Sequence, residues 1–542
     1  MKHTIILAMA SLAMLASCNN FLDEDPKDQI PVDKAYTDAS SIYLNAVANL
    51  YNYTGGYSDG QGLQGTYRGV YDLNTFTTDE AMIPTRGGDW YDGGFWQQLY
   101  LHTWGNDNAA LLNAWNYLYK VIVLSDASLE TIEAKASLLS AAQHKAYTAE
   151  VRAIRAMYYY YLVDLFGRVP LVVSSSTPMR DVSQSSRSQV FRFVVDELQE
   201  SLPYLPAKRS NQPGNYYGRL TRPVAFFLLA KLALNAEVYT DDDWTDSIRP
   251  DGKQIYFSVG GCQLNAWQTV EAYCDSLTAM GYALTADMAD NFSVFNESST
   301  ENIFTIPMDP ASYTNQMQNL FRSYHYRHAS AYGFTGENGS SATLEALRTF
   351  SYGTDSVDRR FSETYYADTL RDLQGQIVTL QNGDTLCYYP WDIALVLTGT
   401  PHMATAGARM HKYAVDLTAT KDGKLMNNDI VLYRYADALL MKCEAQVRNG
   451  EDGSAILHQI RSRSGMPDRP ATLDNILRER MLEFAWEGWR RQDLIRFGQF
   501  TRAYSFRPQL TNEASGYTTV FPIPGTILEQ NTKLHQNYGY DE

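Results

Sequence analysis

The sequence predicts a mainly α protein in which tetratricopeptide-like helical hairpins form a scaffold, with a loop-rich insertion containing a few short strands. Three observations carry this reading. Apolar residues recur at helical spacing in paired stretches separated by short polar loops. Capping residues and helix stops fall at the ends of those stretches. Residues 300–430 break the pattern, being rich in Gly, Thr, Asn and Tyr with few long periodic segments. A strict repeat of ~34 residues is not evident, so the hairpins are inferred from helix pairing alone.

The chain begins with Lys2, an apolar stretch and small residues before Cys18, which makes residues 1–17 a secretion signal. Leu15-Ala16-Ser17-Cys18 has the form of a bacterial lipobox, with Cys18 as the lipidated first residue of the mature chain. An ordinary signal peptide with an incidental cysteine is the alternative. Residues 18–37 are polar and Asp-rich, with Pro26 and Pro31, and read as a tether. One acyl chain holds weakly, so a stable anchor needs more than one on the cysteine. No later stretch reaches the roughly 20 apolar residues of a membrane span; Phe226 to Ala236 is interrupted by Lys231 and Asn235.

Residues 38–299 form the expected N-terminal scaffold. A helix over 38–53 repeats Ile42, Ala46, Leu50 and Tyr53, and Gly-rich loops follow at 55–65 and 87–94. A helical pair covers 106–136 and 138–166, the second with a stripe of Val151, Ile154, Tyr158, Leu162 and Leu165. Gly167 and Pro170 end it. Further helices span 187–201, 221–239 with Pro223 in the first turn, and 265–279. Trp104 and Trp115 belong to the core. Region 300–430 reads as a loop-rich insertion, with strand-like runs such as Gln376 to Gln381. The C-terminal part, 431–542, carries helices over 431–449, 453–462 and 472–488, the last capped by Thr472.

Forty-five basic against 61 acidic residues give a formal charge of −16, which argues against a nucleic-acid partner. Cys262, Cys274, Cys387 and Cys443 remain beyond Cys18. Cys262 and Cys274 pair only if a turn brings them together, and Cys443 reads as a buried thiol. No close Cys/His cluster marks a zinc site. The 39 tyrosines suit either helix packing or stacking on sugar rings, because each offers a flat apolar face and a polar edge.

Several blocks, in order, resemble the SusD/RagB family of outer-membrane nutrient-binding lipoproteins. They are Cys18 to Asp23 with Pro26; Ala149-Glu150-Val-Arg152-Ala-Ile-Arg155 running into Tyr158–Tyr161 and Asp164-Leu-Phe-Gly167; Gly218-Arg219-Leu-Thr221; and Leu432-Tyr-Arg434-Tyr-Ala-Asp437. Then come Arg478-Glu479-Arg480, Glu483 to Arg496 with Gly498, and Phe521-Pro-Ile-Pro524 with Gln536-Asn537. The resemblance spans the mature chain except 300–430. It implies a non-enzymatic surface receptor, triply acylated at Cys18 and facing the cell exterior from the outer membrane. Such a receptor captures oligosaccharides and hands them to a SusC-like TonB-dependent barrel. It implies no cofactor and leaves room for a structural calcium ion on the tether or loops, with no residues assigned. A surface glycoside hydrolase and a receptor for peptides or another nutrient are the competing readings.

Within these blocks Arg152, Arg155, Asp164, Glu487, Arg490, Arg491 and Asp493 read as structural ion-pair residues, with Glu487 and Arg491 spaced to pair on a helix face. A catalytic reading of Glu483 and Glu487 is disfavoured, because nearby arginines keep both ionised. The candidate ligand contacts are Arg86, Asp89, Trp90, Asp92 and Trp96, in a glycine-flanked loop whose turns can push a tryptophan out of the fold. Comparable early loops bind glycans in the resembled family. Trp96 has a second reading, as the start of the next helix packed inward. Tyr324, Tyr326 and Tyr332, in a stretch of alternating aromatic and basic residues, are the other candidates; the same alternation fits a strand with one wet face.

Overall fold

The computed structural model of the protein describes residues 35–313 and 315–540. Its scaffold helices are α1 (Ala109–Ala134), α2 (Ala141–Phe166), α3 (Arg187–Ser201), α4 (Arg222–Leu234), α5 (Ala266–Ala279), α6 (Tyr435–Asn449), α7 (Ser454–Arg463), α8 (Leu473–Phe484) and α9 (Arg490–Arg496). Successive helices pack as hairpins: α1 on α2, α2 on α3, α4 on α5, and α6 on both α5 and α7. Among the described residues no helix is long and apolar enough to cross a membrane.

The helix starts follow from short polar side chains. Ser140, Ser186 and Asn265 each cap a helix reciprocally with a glutamine three residues on. Thr472 accepts from the Asn475 amide at the start of α8. From Ala149 to Phe166, α2 is buried on every side except at Arg152. The tyrosine run tolerates this because each hydroxyl is satisfied: Tyr158 donates to the Tyr53 carbonyl, Tyr159 to Val172, and Tyr160 to Gln492, while Tyr161 bonds Tyr433. These tyrosines serve helix packing.

The helix expected over 38–53 is a short α turn followed by π and 3₁₀ turns, the helix expected over 221–239 breaks at Asn235, and three further readings change. Residues 430–434 form a strand, not the first turn of α6. Ile430–Arg434 pairs antiparallel with Asn302–Ile306, and that long-range pairing overrides the helical period through Leu432. The two strands bring both ends of the loop-rich region side by side. Helix α8 stops at Phe484, well before 488, because Trp486 and Gly488 adopt positive φ of 70° and 74°. Glu487 therefore lies outside α9 and does not pair with Arg491. It pairs instead with Arg434 at 2.7 Å and Lys412 at 2.9 Å. Gln376 to Gln381 makes only isolated bridges, Arg371 with Ile377 and Thr379 with Thr385.

A lattice of buried charges ties the C-terminal helices together. Lys231 on α4 and Arg480 on α8 both meet Asp437 on α6. Arg480 and Arg496 share Asp493, and Arg496 also holds Glu444 at 2.7 Å. Burial alone would raise these carboxyls, but Arg480 and Lys231 hold Asp437 at about 2, and Arg496 and Arg448 do the same for Glu444. Arg490 pairs with Asp79 at 2.7 Å, and Arg491 with Asp164 at 2.9 Å. Arg155 meets Asp126 and Glu197, each at 2.6 Å, and Arg152 meets Glu197 and Glu200. Such pairs fix geometry more than they add net stability.

Cys262 and Cys274 are free thiols, the first exposed on a hairpin and the second buried. Cys443 is buried, donating to the Gly453 carbonyl.

One buried acid titrates in the opposite direction. Burial pushes the Glu80 carboxyl up to about 8 from an ordinary 4.5, against the pull of the Trp486 amide and Arg490. The fold thus holds Glu80 protonated at neutral pH, while the unfolded chain ionises it above 4.5. Its contribution to stability is complete below that pH and drains away as pH rises toward 8. Glu80→Gln is expected to remove up to about 1.4 kcal/mol of that decline per pH unit. Urea unfolding of both proteins at about pH 5 and about pH 8 checks this.

Candidate functional site

The early glycine-flanked loop and the 321–334 segment meet on one surface. Arg86 and Asp89 exchange backbone hydrogen bonds of 3.0 Å across Gly87-Gly88, a tight turn that lifts Asp89 into solvent. The strand Ala81–Met82 pairs with Ser341–Ala342, and Thr85 bridges to Val396, so the loop is rooted in the loop-rich region. Trp90 and Asp92 both take positive φ, 62° and 45°. Their neighbours hold this strained backbone in place. The Trp90 Nε1 donates to the Glu337 carbonyl at 2.8 Å. Its ring lies so close over Gly339 that a Cβ there would sit 2.7 Å from it, so only glycine fits beneath. Trp90 remains half-buried, edge-on to Tyr67 and Trp96.

Residues 321–334 are two short helices, Asn319–Ser323 and Tyr326–Ala331, and not a strand. Tyr326 projects from the second, 45 % exposed, and donates to the Asp89 carboxylate. Burial and that hydrogen bond push its phenol up to about 12, so it stays a neutral donor at any working pH. Asp92 accepts from Arg68 at 2.8 Å and from the Trp96 indole at 2.9 Å. Tyr91, beside them, is 59 % exposed.

The structure thus brings Asp89, Trp90, Asp92 and Tyr326 to the surface together. Four expected contacts lie beneath them, and this corrects the sequence reading. Trp96 is only 1 % exposed, because it opens the helix Phe95–Leu101 and packs on Phe76 and Phe95. Arg86 is buried as a strut, donating to the carbonyls of Met403 and Ala406 and to Ser341. Tyr324 is sealed in, stacked on His328 at 4.1 Å, and Tyr332 packs edge-on to both. Trp104 and Trp115 are core residues.

Two exposed rings escaped the sequence reading. Trp391 is 46 % exposed, and Tyr389, also exposed, stacks flat on His402 at 3.5 Å. They stand on the segment that continues through 393–406 to the Arg86 and Gly87 contacts. The signal was the run Tyr388-Tyr389-Pro390-Trp391, in which proline stiffens a loop between aromatic residues.

The carboxylate pair weighed for catalysis is unsuited to it. Glu483 and Glu487 are buried, and Arg463, Arg434, Arg360 and Lys412 hold Glu483 well below the usual carboxylate range despite burial. Among the described residues no cluster of three or more His, Cys, Asp or Glu is arranged to hold a metal ion. Cys18 and residues 19–34 of the tether, with any calcium site on them, lie outside the described residues.

Comparison with known proteins adds to this geometry. The model of the SusD family matches residues 230–540, and one described as starch-binding, associating with the outer membrane, matches residues 20–234. Starch-binding protein SusD of Bacteroides thetaiotaomicron is 24 % identical, with all of both chains covered. A SusD-like protein of Bacteroides ovatus is 23 % identical over 99 % of this chain and 89 % of its own length. Among solved structures, a laminarin-binding SusD-like protein superposes with a TM-score of 0.68 at 22 % identity, covering 93 % of this chain and all of its own. The surface glycan-binding protein A of Bacteroides thetaiotaomicron, solved with laminarihexaose, gives 0.67 at 19 % identity, covering 92 % of this chain and all of its own.

Proposed function

The chain belongs to the SusD family, and from that premise we propose that it is a cell-surface glycan-binding lipoprotein. It captures oligosaccharides and delivers them to a SusC-like TonB-dependent outer-membrane transporter. The observation that carries this reading is the surface on which Asp89, Trp90, Tyr91 and Tyr326 stand together on a rigid scaffold. Half-exposed rings offer apolar faces to the C–H faces of sugars, and the adjacent carboxylate and phenol offer hydrogen bonds to hydroxyls. Trp391 and Tyr389 extend this chemistry along the connected segment, which suits a ligand several sugar units long. The lipobox supports anchoring through acylated Cys18, with the body outside the cell. The buried, arginine-bound state of Glu483 and Glu487 removes that pair as a glycosidase's two carboxylates, which must face the substrate.

A glycan array probed with the protein tests this. Binding to at least one neutral oligosaccharide is expected, weakened about tenfold or more in Tyr326→Ala, since a stacking ring contributes ~1–3 kcal/mol on the scale of bases on aromatics. Stability should barely change, because the side chain is half exposed. Peptide binding without any glycan response would support the nutrient-receptor alternative instead.

A further inference from the structure

A cleft of about 740 Å³, with no described residue of the 85–96 loop in its lining, lies between the helical run 39–53, α1, the segment 215–219, residues 307–313 and Asn315. Its volume lies within the ~300–1,000 Å³ of small-molecule sites. Six tyrosines line it, together with two cations, Lys120 and Arg219. Among the described residues no Asp or Glu lines it, in a chain of formal charge −16. Local groups, not net charge, set what such a cleft attracts.

One wall is fixed by a shared acid. The Glu150 carboxylate takes two guanidinium hydrogen bonds from Arg219, at 2.7 and 3.0 Å, and the hydroxyls of Tyr43 and Tyr51. The Arg219 guanidinium also covers the Tyr43 ring at 4.6 Å. Glu150 is thus fully engaged behind the wall, and its partners are held still. Lys120 differs. It is exposed, its ammonium lies 4.7 Å from the Tyr53 ring centroid, and no carboxylate pairs with it among the described residues. Tyr57, across the same cleft, is 60 % exposed. A cation with free donors beside exposed tyrosine faces recognises a ring that carries both an apolar face and a carboxylate.

We propose that this cleft is a second carbohydrate subsite that takes an acidic sugar, a hexuronate whose carboxylate pairs with Lys120 while its ring packs on tyrosine. The proposal rests on the glycan-binding reading but places a distinct ligand class at a distinct site.

The test is calorimetric titration of the protein, carrying Cys18→Ser to keep it free of lipid, with a hexuronate oligomer and with its neutral hexose counterpart. The hexuronate is expected to bind more tightly than the neutral oligomer and to weaken as salt is raised. Lys120→Gln should reduce hexuronate affinity about tenfold while leaving any neutral glycan bound at the Trp90 surface untouched. Tyr57→Ala should also weaken the hexuronate, and Trp90→Ala should not. Both cleft residues are exposed, so circular dichroism should show intact folds. Equal affinity for charged and neutral oligomers, or a hexuronate response lost in Trp90→Ala but kept in Lys120→Gln, overturns the proposal. Neutral glycan binding with no hexuronate binding overturns it alone; silence toward every glycan removes the parent reading as well.

Discussion

Replacing Arg434 by leucine is expected to lower the unfolding free energy by about 3–5 kcal/mol, the cost of breaking a buried ion pair from one side. Arg434 is fully buried and reaches Glu301 at 2.6 Å, Glu483 at 2.7 Å and Glu487 at 2.7 Å. Other cations serve the same carboxylates: Arg463 meets Glu301 and Glu483, Arg360 meets Glu483, and Lys412 meets Glu487. None replaces the fork that joins all three acids. The position compounds the loss, since Arg434 ends the strand that closes the loop-rich region and leads into α6. Urea unfolding measures the change, and a loss below about 1 kcal/mol would show that the remaining cations compensate.

The two loop tryptophans should separate stability from binding. Trp96→Ala removes a sealed side chain packed on Phe76, Phe95 and Trp90, with the Arg322 guanidinium 5.6 Å from its ring. It should cost about 3–5 kcal/mol of stability. Trp90→Ala removes a half-exposed ring and breaks the hydrogen bond to Glu337, while alanine keeps the positive φ of this position. It should leave the protein folded and weaken glycan binding by about tenfold or more. Paired denaturation and titration of both variants check this. A Trp96 variant as stable as the parent would return that ring to the list of ligand contacts.

Helices were legible wherever period and caps agreed. Ser140, Ser186, Asn265 and Thr472 stand at the starts of helices whose apolar stripes repeat cleanly. Local pattern failed where a distant partner decides. The strand at 430–434 exists because Asn302–Ile306 lies beside it, and nothing within the segment announces that pairing. The break after Phe484 hides inside a run of helix-forming residues, since a tryptophan and not a glycine takes the first left-handed position. The loop at 85–96 was recognisable from its glycines, but they do not say which ring faces out. Trp96 lies inward, where the Arg322 guanidinium, paired with Asp72, sits over both its ring and that of Phe76. The contact between Tyr326 and Asp89 is likewise a product of the fold.

Hydrogen–deuterium exchange with and without a bound oligosaccharide, resolved to peptides by mass spectrometry, tests the central claim most directly. Sugar docked on the Trp90 surface predicts slowed exchange in the peptides covering 85–96 and 321–334, with the helices α6 to α9 unchanged. Protection confined to other parts of the chain, with both of those segments exchanging as in the free protein, would contradict it.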